Sequence, residues 1–361
     1  MTAQSLQIRV LTAIILALAV GAVFITVDGS NPLEAYKVLF TESFFDYWGL
    51  SNTLVDMSPM LLAGLAVILP LRAGLFNIGG EGQIYMGGLF GALFALALPD
   101  LPGWIGIPMI FVCAAIGGGL WAAIPAYLRA YRDINEVIVT LLMNFIAIHI
   151  VSYAVAGPLL AESAPYPYSE EVSSQYRLPI MLARTDAHMG FLIGIVCAVL
   201  LYFWLRSTPS GFKLDLVGRN RQAAKYAGVN TKRQIMIAMI VGGMFAGLAG
   251  AIEVIGLKYR LFHLFSDGYG YQGIIVAFLA TLNPLLAPLS AFFLAGLSAG
   301  AGTMQRAVGV EGSIIEVIEG LVVLFVAAAI VPKAIGGKEG IGAFLKMLLG
   351  RKKRQKSWNF F

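Results

Sequence analysis

What most constrains this chain is a succession of long apolar runs that carry almost no charge. The first, Val10 to Val27, has 18 residues and no ionisable side chain. A helix needs about 20 apolar residues to cross about 30 Å of hydrocarbon. In that solvent only helices and closed barrels satisfy their own backbone hydrogen bonds. Ten segments reach or approach the required length: about 8–27, 51–71, 78–98, 105–128, 134–157, 188–206, 234–257, 269–283, 285–304 and 314–332. The eighth is short and reads as a full span, a half-helix or a re-entrant piece, so eight to ten crossings fit. The expectation is an all-α, polytopic membrane protein forming a single domain over 1–361. Composition agrees: 58% of the 361 residues are hydrophobic and 12% charged, against about 25% charged in soluble domains. The mean hydropathy is +0.80. A soluble core of this length could not hide so much apolar surface, which excludes an ordinary soluble enzyme and a disordered scaffold. The first run is expected to be retained, because a cleaved signal has a shorter apolar core and a small-residue cleavage site.

The sequence pI near 9.1 would suggest a nucleic-acid partner if the basic residues shared a face. They do not; they lie mainly in the short segments between apolar runs, which is membrane topology. With the N-terminus inside and ten alternating spans, 19 of the 25 Lys and Arg fall inside. These are Arg9, Arg72, Arg129, Arg132, seven from Arg206 to Arg233 and eight from Lys333 to Lys356. Only Lys37, Arg177, Arg184, Lys258, Arg260 and Arg306 fall outside. The positive-inside rule then places both termini, the loop 207–233 and the basic tail 333–361 in the cytoplasm. The tail block Arg351-Lys352-Lys353-Arg354 reads as an anchor near anionic membrane lipid. Cys113 and Cys197 lie in apolar runs, and His149, His188 and His263 are scattered. No disulfide framework, metal site, cofactor or catalytic centre is expected, and no phosphate-cradling loop for ATP.

Two segments carry chemistry. Between Gly74 and Gly88 lie six glycines with Asn77, Glu81 and Gln83 among them. Broken or tightly packed backbone at membrane depth needs protein or water around it, and an ionisable group there faces a cavity or a partner. These residues read as part of a solute pathway or a polar clamp that shapes it, or else as the capped first turns of a helix. The second segment, Gly218 to Arg233 in the large inside loop, mixes basic residues with Ala223, Ala224, Ala227 and Gly228. It reads as a small knob flanked by positive charge, suited to a groove on a cytoplasmic protein, or as a solvated topogenic loop.

Gln222-Ala-Ala-Lys-Tyr-Ala-Gly228 resembles the Glu-Ala-Ala-x-x-x-Gly coupling motif of bacterial ABC importer permeases, with Gln222 in place of Glu. Phe76-Asn-Ile-Gly-Gly-Glu-Gly-Gln83 resembles the glycine-rich segment of the branched-chain amino acid/ribose/nucleoside permease family. It is most similar to the nucleoside (basic-membrane-protein-associated) subgroup. The resemblance runs from about residue 50 to 332. It implies a permease subunit of the bacterial inner membrane that does not bind ATP itself. The implied partners are two cytoplasmic ABC ATPases, a second permease subunit and an extracytoplasmic substrate-binding lipoprotein. It also implies ATPase coupling through Gly218, Asn220, Gln222, Ala223, Ala224 and Gly228.

Other polar residues in the runs are Asp56, Asn144, His149, Glu253, Gln272, Glu316 and Glu319. Glu253, mid-run, should face protein or water; His149 reads as a satisfied interior histidine, and Glu316 and Glu319 as a hydrated outer mouth. Gln272, in Gly268-Tyr-Gly-Tyr-Gln-Gly273, echoes the first glycine-rich stretch, as an internal repeat of spans 2–5 in spans 7–10 would. The expected pathway set is Asn77, Glu81, Gln83, Asn144, Glu253 and Gln272. The expected solute is a nucleoside. Branched-chain amino acids or sugars remain open, as do an ATPase-independent secondary transporter and a membrane enzyme.

Overall fold

The structure is a computed structural model that describes residues 3–162 and 165–330; the basic tail 333–361 lies outside them. Its described residues form thirteen α-helices and no β-strand, with isolated bridges at Tyr168–Phe262 and Ile180–His188. The helices are α1 (Ala3–Val27), α2 (Pro32–Phe44), α3 (Tyr47–Arg72), α4 (Gly80–Ala97), α5 (Gly103–Arg132), α6 (Glu136–Ala156) and α7 (Gly190–Ser207). They continue as α8 (Pro209–Arg219), α9 (Arg221–Tyr226), α10 (Thr231–Ile252), α11 (Tyr269–Leu279), α12 (Ala287–Val308) and α13 (Gly312–Ile330). Several helix starts are capped: Asn31, Asp46, Asn135, Thr208, Asn220 and Asn230 each accept a backbone N–H of the first turn, the usual capping chemistry.

Each of the ten expected spans is helical. By length and composition six can cross a membrane: α3, α5, α6, α7, α12, and α10 with its extension to Lys258. In α1 the apolar stretch Thr12–Val27 is shorter, and α4 opens on Glu81 and Gln83. The 11 residues of α11 reach about 16 Å at about 1.5 Å per residue, half of a bilayer core.

Buried along most of its length, α3 is the central helix, and α10, α11, α12 and α7 pack round it. Beside it α4, α5 and α10 meet through glycines. A Cβ on Gly118 would lie 2.2 Å from the Gly243 carbonyl oxygen, and one on Gly247 would lie 2.2 Å from that of Ala114. Such backbone contact is how membrane helices associate where no hydrophobic force separates protein from lipid.

One end of the bundle gathers Arg72, Arg129, Arg132, α8, α9 and the start of α10. At the opposite end the segment 165–189 packs along the chain that follows α10. There Ser169, Val172 and Leu178 donate backbone bonds of 2.8, 2.8 and 2.9 Å to Leu261, Tyr259 and Ile255. Tyr176, fully buried in this loop, donates its hydroxyl to the Leu98 carbonyl.

Candidate functional site

The glycine-rich segment that opens α4 is held by side chains from three directions. Asn77 and Gln83 exchange two amide hydrogen bonds of 3.1 Å, and Asn77 Oδ1 also accepts from Gly79 N–H. From α6, Asn144 Oδ1 accepts from Gly82 N–H at 2.9 Å, while its Nδ2 donates to the Ile78 carbonyl and to the Tyr271 hydroxyl. One turn earlier on α6, Thr140 accepts from Ile78 N–H at 3.3 Å. The third direction is α11: Glu81 Oε2 accepts from Gly270 N–H at 2.8 Å. The two backbones are so close that a Cβ on Gly270 would lie 2.1 Å from the Glu81 nitrogen. The two glycine-rich stretches therefore pack on each other where α4 and α11 begin.

The six expected pathway residues divide. Asn77, Glu81, Gln83 and Asn144 are buried and spend polar atoms on backbone or on one another. They form a polar clamp on this backbone, and the N-cap of α4 is Gly79, which makes no side-chain cap bond. Glu253 and Gln272 differ. Glu253 is fully buried, and neither of its carboxyl oxygens, nor Gln272 Oε1, meets a hydrogen-bond partner among the described residues. At Glu253 the α10 helix also widens into a π-helical turn through Lys258, a distortion common at functional sites. His149 is exposed on α6, a correction to its interior reading: the apolar face that carries it is not packed inside the chain.

At the basic end, α8 is pinned to the end of α3 by a two-bond ion pair. Arg72 Nε donates to Asp215 Oδ1 at 2.8 Å, and a second bond joins Nη2 to Oδ2. Gly218 makes this contact sterically possible, since a Cβ there would stand 1.9 Å from the Arg72 carbonyl oxygen. Asn220 caps α9, accepting from Gln222 and Ala223 N–H at 3.0 Å. Among the small residues, Ala223 and Gly228 are exposed. Gly228 ends the turn at φ +78 with open space around it. Ala224 is fully buried, so its small size serves the seating of α9. The neighbouring Tyr226 is 92% exposed.

A polar chain joins the two regions, and the sequence reading missed it. Arg221 of α9 lies 3.7 Å from Asp133, which pairs with Arg129 at 2.8 Å. Arg129 pairs with Glu136 at 3.0 Å, and Glu136 accepts from Phe76 N–H at 3.3 Å, at the entry to the clamp. The i,i+4 spacing of Arg129 and Asp133 was a visible signal; the link to residue 221 was not.

Compared with known proteins, residues 49–331 match the sequence profile of the "Branched-chain amino acid transport system / permease component" family. The chain is 37% identical over 322 residues to the glucose ABC transporter permease protein TsgB13 of Haloferax volcanii, covering 86% of this chain and 84% of that one. It is 35% identical to the guanosine ABC transporter permease protein NupP of Bacillus subtilis, covering 91% and 95% of the two chains. Identity to the nucleoside ABC transporter permease protein NupB of Lactococcus lactis is 28%, over 88% and 89%. No solved structure matches significantly.

Proposed function

The chain belongs to the branched-chain amino acid transport system permease family, a transport subunit and not an enzyme, and from that premise we propose that it imports a nucleoside through the bacterial inner membrane. NupP, aligned along nearly the whole of both chains and named for guanosine, carries the choice of solute. A neutral solute needs hydrogen bonders and no counter-charge in its path. Glu253 and Gln272, with their unused polar atoms, are the residues assigned to meet it. A sugar is the second reading, favoured by the 37% identity to TsgB13. Uptake of radiolabelled guanosine and of radiolabelled glucose, each measured with and without excess of the other solute unlabelled, separates the two. Glucose uptake without guanosine uptake rejects the nucleoside.

Two cytoplasmic ATPases act on a pair of permeases, this chain and a second, and an extracytoplasmic lipoprotein delivers the solute. The basic end is cytoplasmic and both termini lie there, as the positive-inside count requires. Ten spans, the short α11 counted among them as a crossing, with α10–α13 repeating α3–α6, complete the reading. ATP-driven movement of the ATPases is felt by α9. The chain Arg221–Asp133–Arg129–Glu136 and the Gly218 contact give α9 a rigid connection to the clamp. If the clamp has two discrete packings, one per state, the movement switches the path between inward- and outward-open.

A further inference from the structure

We propose that the cavity between the basic ends of α5, α9 and α10 binds the phosphate-bearing headgroup of an anionic phospholipid of the inner leaflet. The cavity has a volume of about 430 Å³, and its lining includes Tyr131, Asp133, Arg221, Lys225, Thr231 and Lys232. Three cations here face one acid, and Asp133 is already engaged by Arg129 at 2.8 Å and Arg221 at 3.7 Å. The Lys232 ammonium rests 4.8 Å from the centre of the Tyr131 ring, which holds it at the rim. The surplus positive charge suits a compact anion with several acceptor oxygens, which is the chemistry of a phosphate group.

Two features point to a lipid as the source of that phosphate. Tyr131 stacks on Tyr127 with ring centroids 4.9 Å apart, and both rings are half exposed at the end of a span. Exposed aromatics at that position mark the membrane–water interface. Directly after Asp133 comes exposed Ile134, followed on α6 by an exposed strip, Ile138, Leu142 and Phe145, spaced to share one face of that helix. A headgroup seated in the cavity has its acyl chains beside that strip. The proposal rests on the orientation given above and not on the choice of solute; cysteine labelling tests that orientation separately.

The test is native mass spectrometry of the full chain, purified in detergent and titrated with phosphatidylglycerol or phosphatidylcholine. Phosphatidylglycerol should bind preferentially. A juxtamembrane lysine is worth about fivefold in affinity for anionic lipid. The pair Lys225→Gln and Lys232→Gln should therefore weaken phosphatidylglycerol binding about 25-fold, while Lys225→Arg with Lys232→Arg retains it. Lys213→Gln, an exposed charge on α8 outside the cavity lining, should leave binding unchanged. Equal loss with Lys213→Gln would reduce the effect to surface charge and overturn the site. Displacement of the lipid by millimolar glycerol phosphate would make it a soluble-anion site and overturn the lipid. Loss of ATPase association in the double glutamine variant, with lipid still bound, would assign the cavity to the ATPase and overturn the proposal.

Discussion

Replacing Glu81 tests whether the glycine-rich crossing is a clamp. Glu81 Oε2 accepts the Gly270 N–H at 2.8 Å, and the side chain is 3% exposed. Alanine removes the acceptor and leaves a buried N–H that neither α4 nor α11 backbone satisfies. An unpaired buried donor costs about 1–3 kcal/mol. If that cost falls on the packed α4–α11 state, its population relative to a parted state drops by about 5- to 150-fold. Glutamine is nearly isosteric and keeps an acceptor oxygen, so it should preserve most of the crossing. The assay is initial-rate uptake of radiolabelled guanosine at matched membrane expression, with thermal stability of the purified protein alongside. Glu81→Ala should lose most uptake and some stability, and Glu81→Gln should keep much of both. If glutamine abolishes uptake as fully as alanine, the negative charge itself matters and the clamp argument for a neutral solute fails. If alanine behaves as wild type, Gly270 needs no acceptor and the clamp is refuted.

Other expected outcomes follow from the basic end and the topology. In a background without Cys113 and Cys197, an impermeant thiol reagent on intact cells should label Tyr166→Cys, which is 74% exposed, and spare Lys213→Cys; the reverse pattern would invert the orientation. Arg129→Gln severs the link between Asp133 and Glu136. In the reconstituted transporter it should lower uptake per ATP hydrolysed at least threefold while hydrolysis continues; an unchanged ratio would remove the polar chain from coupling. The purified chain alone should hydrolyse no ATP above a mock preparation, and robust hydrolysis with contaminants excluded would defeat its assignment as a non-enzymatic subunit.

Much of the fold was legible because the bilayer imposes a simple rule, and every segment that met it is helical. The edges were less legible: spans expected from 51, 134 and 234 begin at Tyr47, Glu136 and Thr231, where Asp46, Asn135 and Asn230 cap the helices. The role of the α4 segment was only half legible. Glycines and polar groups at residues 74–88 signalled broken backbone, but whether Asn77 faced a solute or Gln83 depends on an amide pair that folding alone creates. Asn144 and Gly270 reach the segment from 62 and 189 residues away, separations at which a single sequence carries no pairing signal. The burial of Ala224 was likewise hidden, because on a six-residue helix flanked by turns no periodicity tells the inner face from the outer.

The central claim is that ATPases drive this chain through the α9 loop. Ala223 is exposed on that helix, so Ala223→Arg adds bulk and charge to the presented face without disturbing the buried Ala224. The most direct measurement is ATP-dependent guanosine uptake by proteoliposomes holding the complete transporter with this substitution, beside wild type and with membrane insertion and thermal stability verified. Uptake should fall at least tenfold with the fold intact, through weaker ATPase association or hydrolysis uncoupled from transport. Wild-type uptake by a stably inserted Ala223→Arg chain would show that no partner seats on this face of α9, and would contradict the claim.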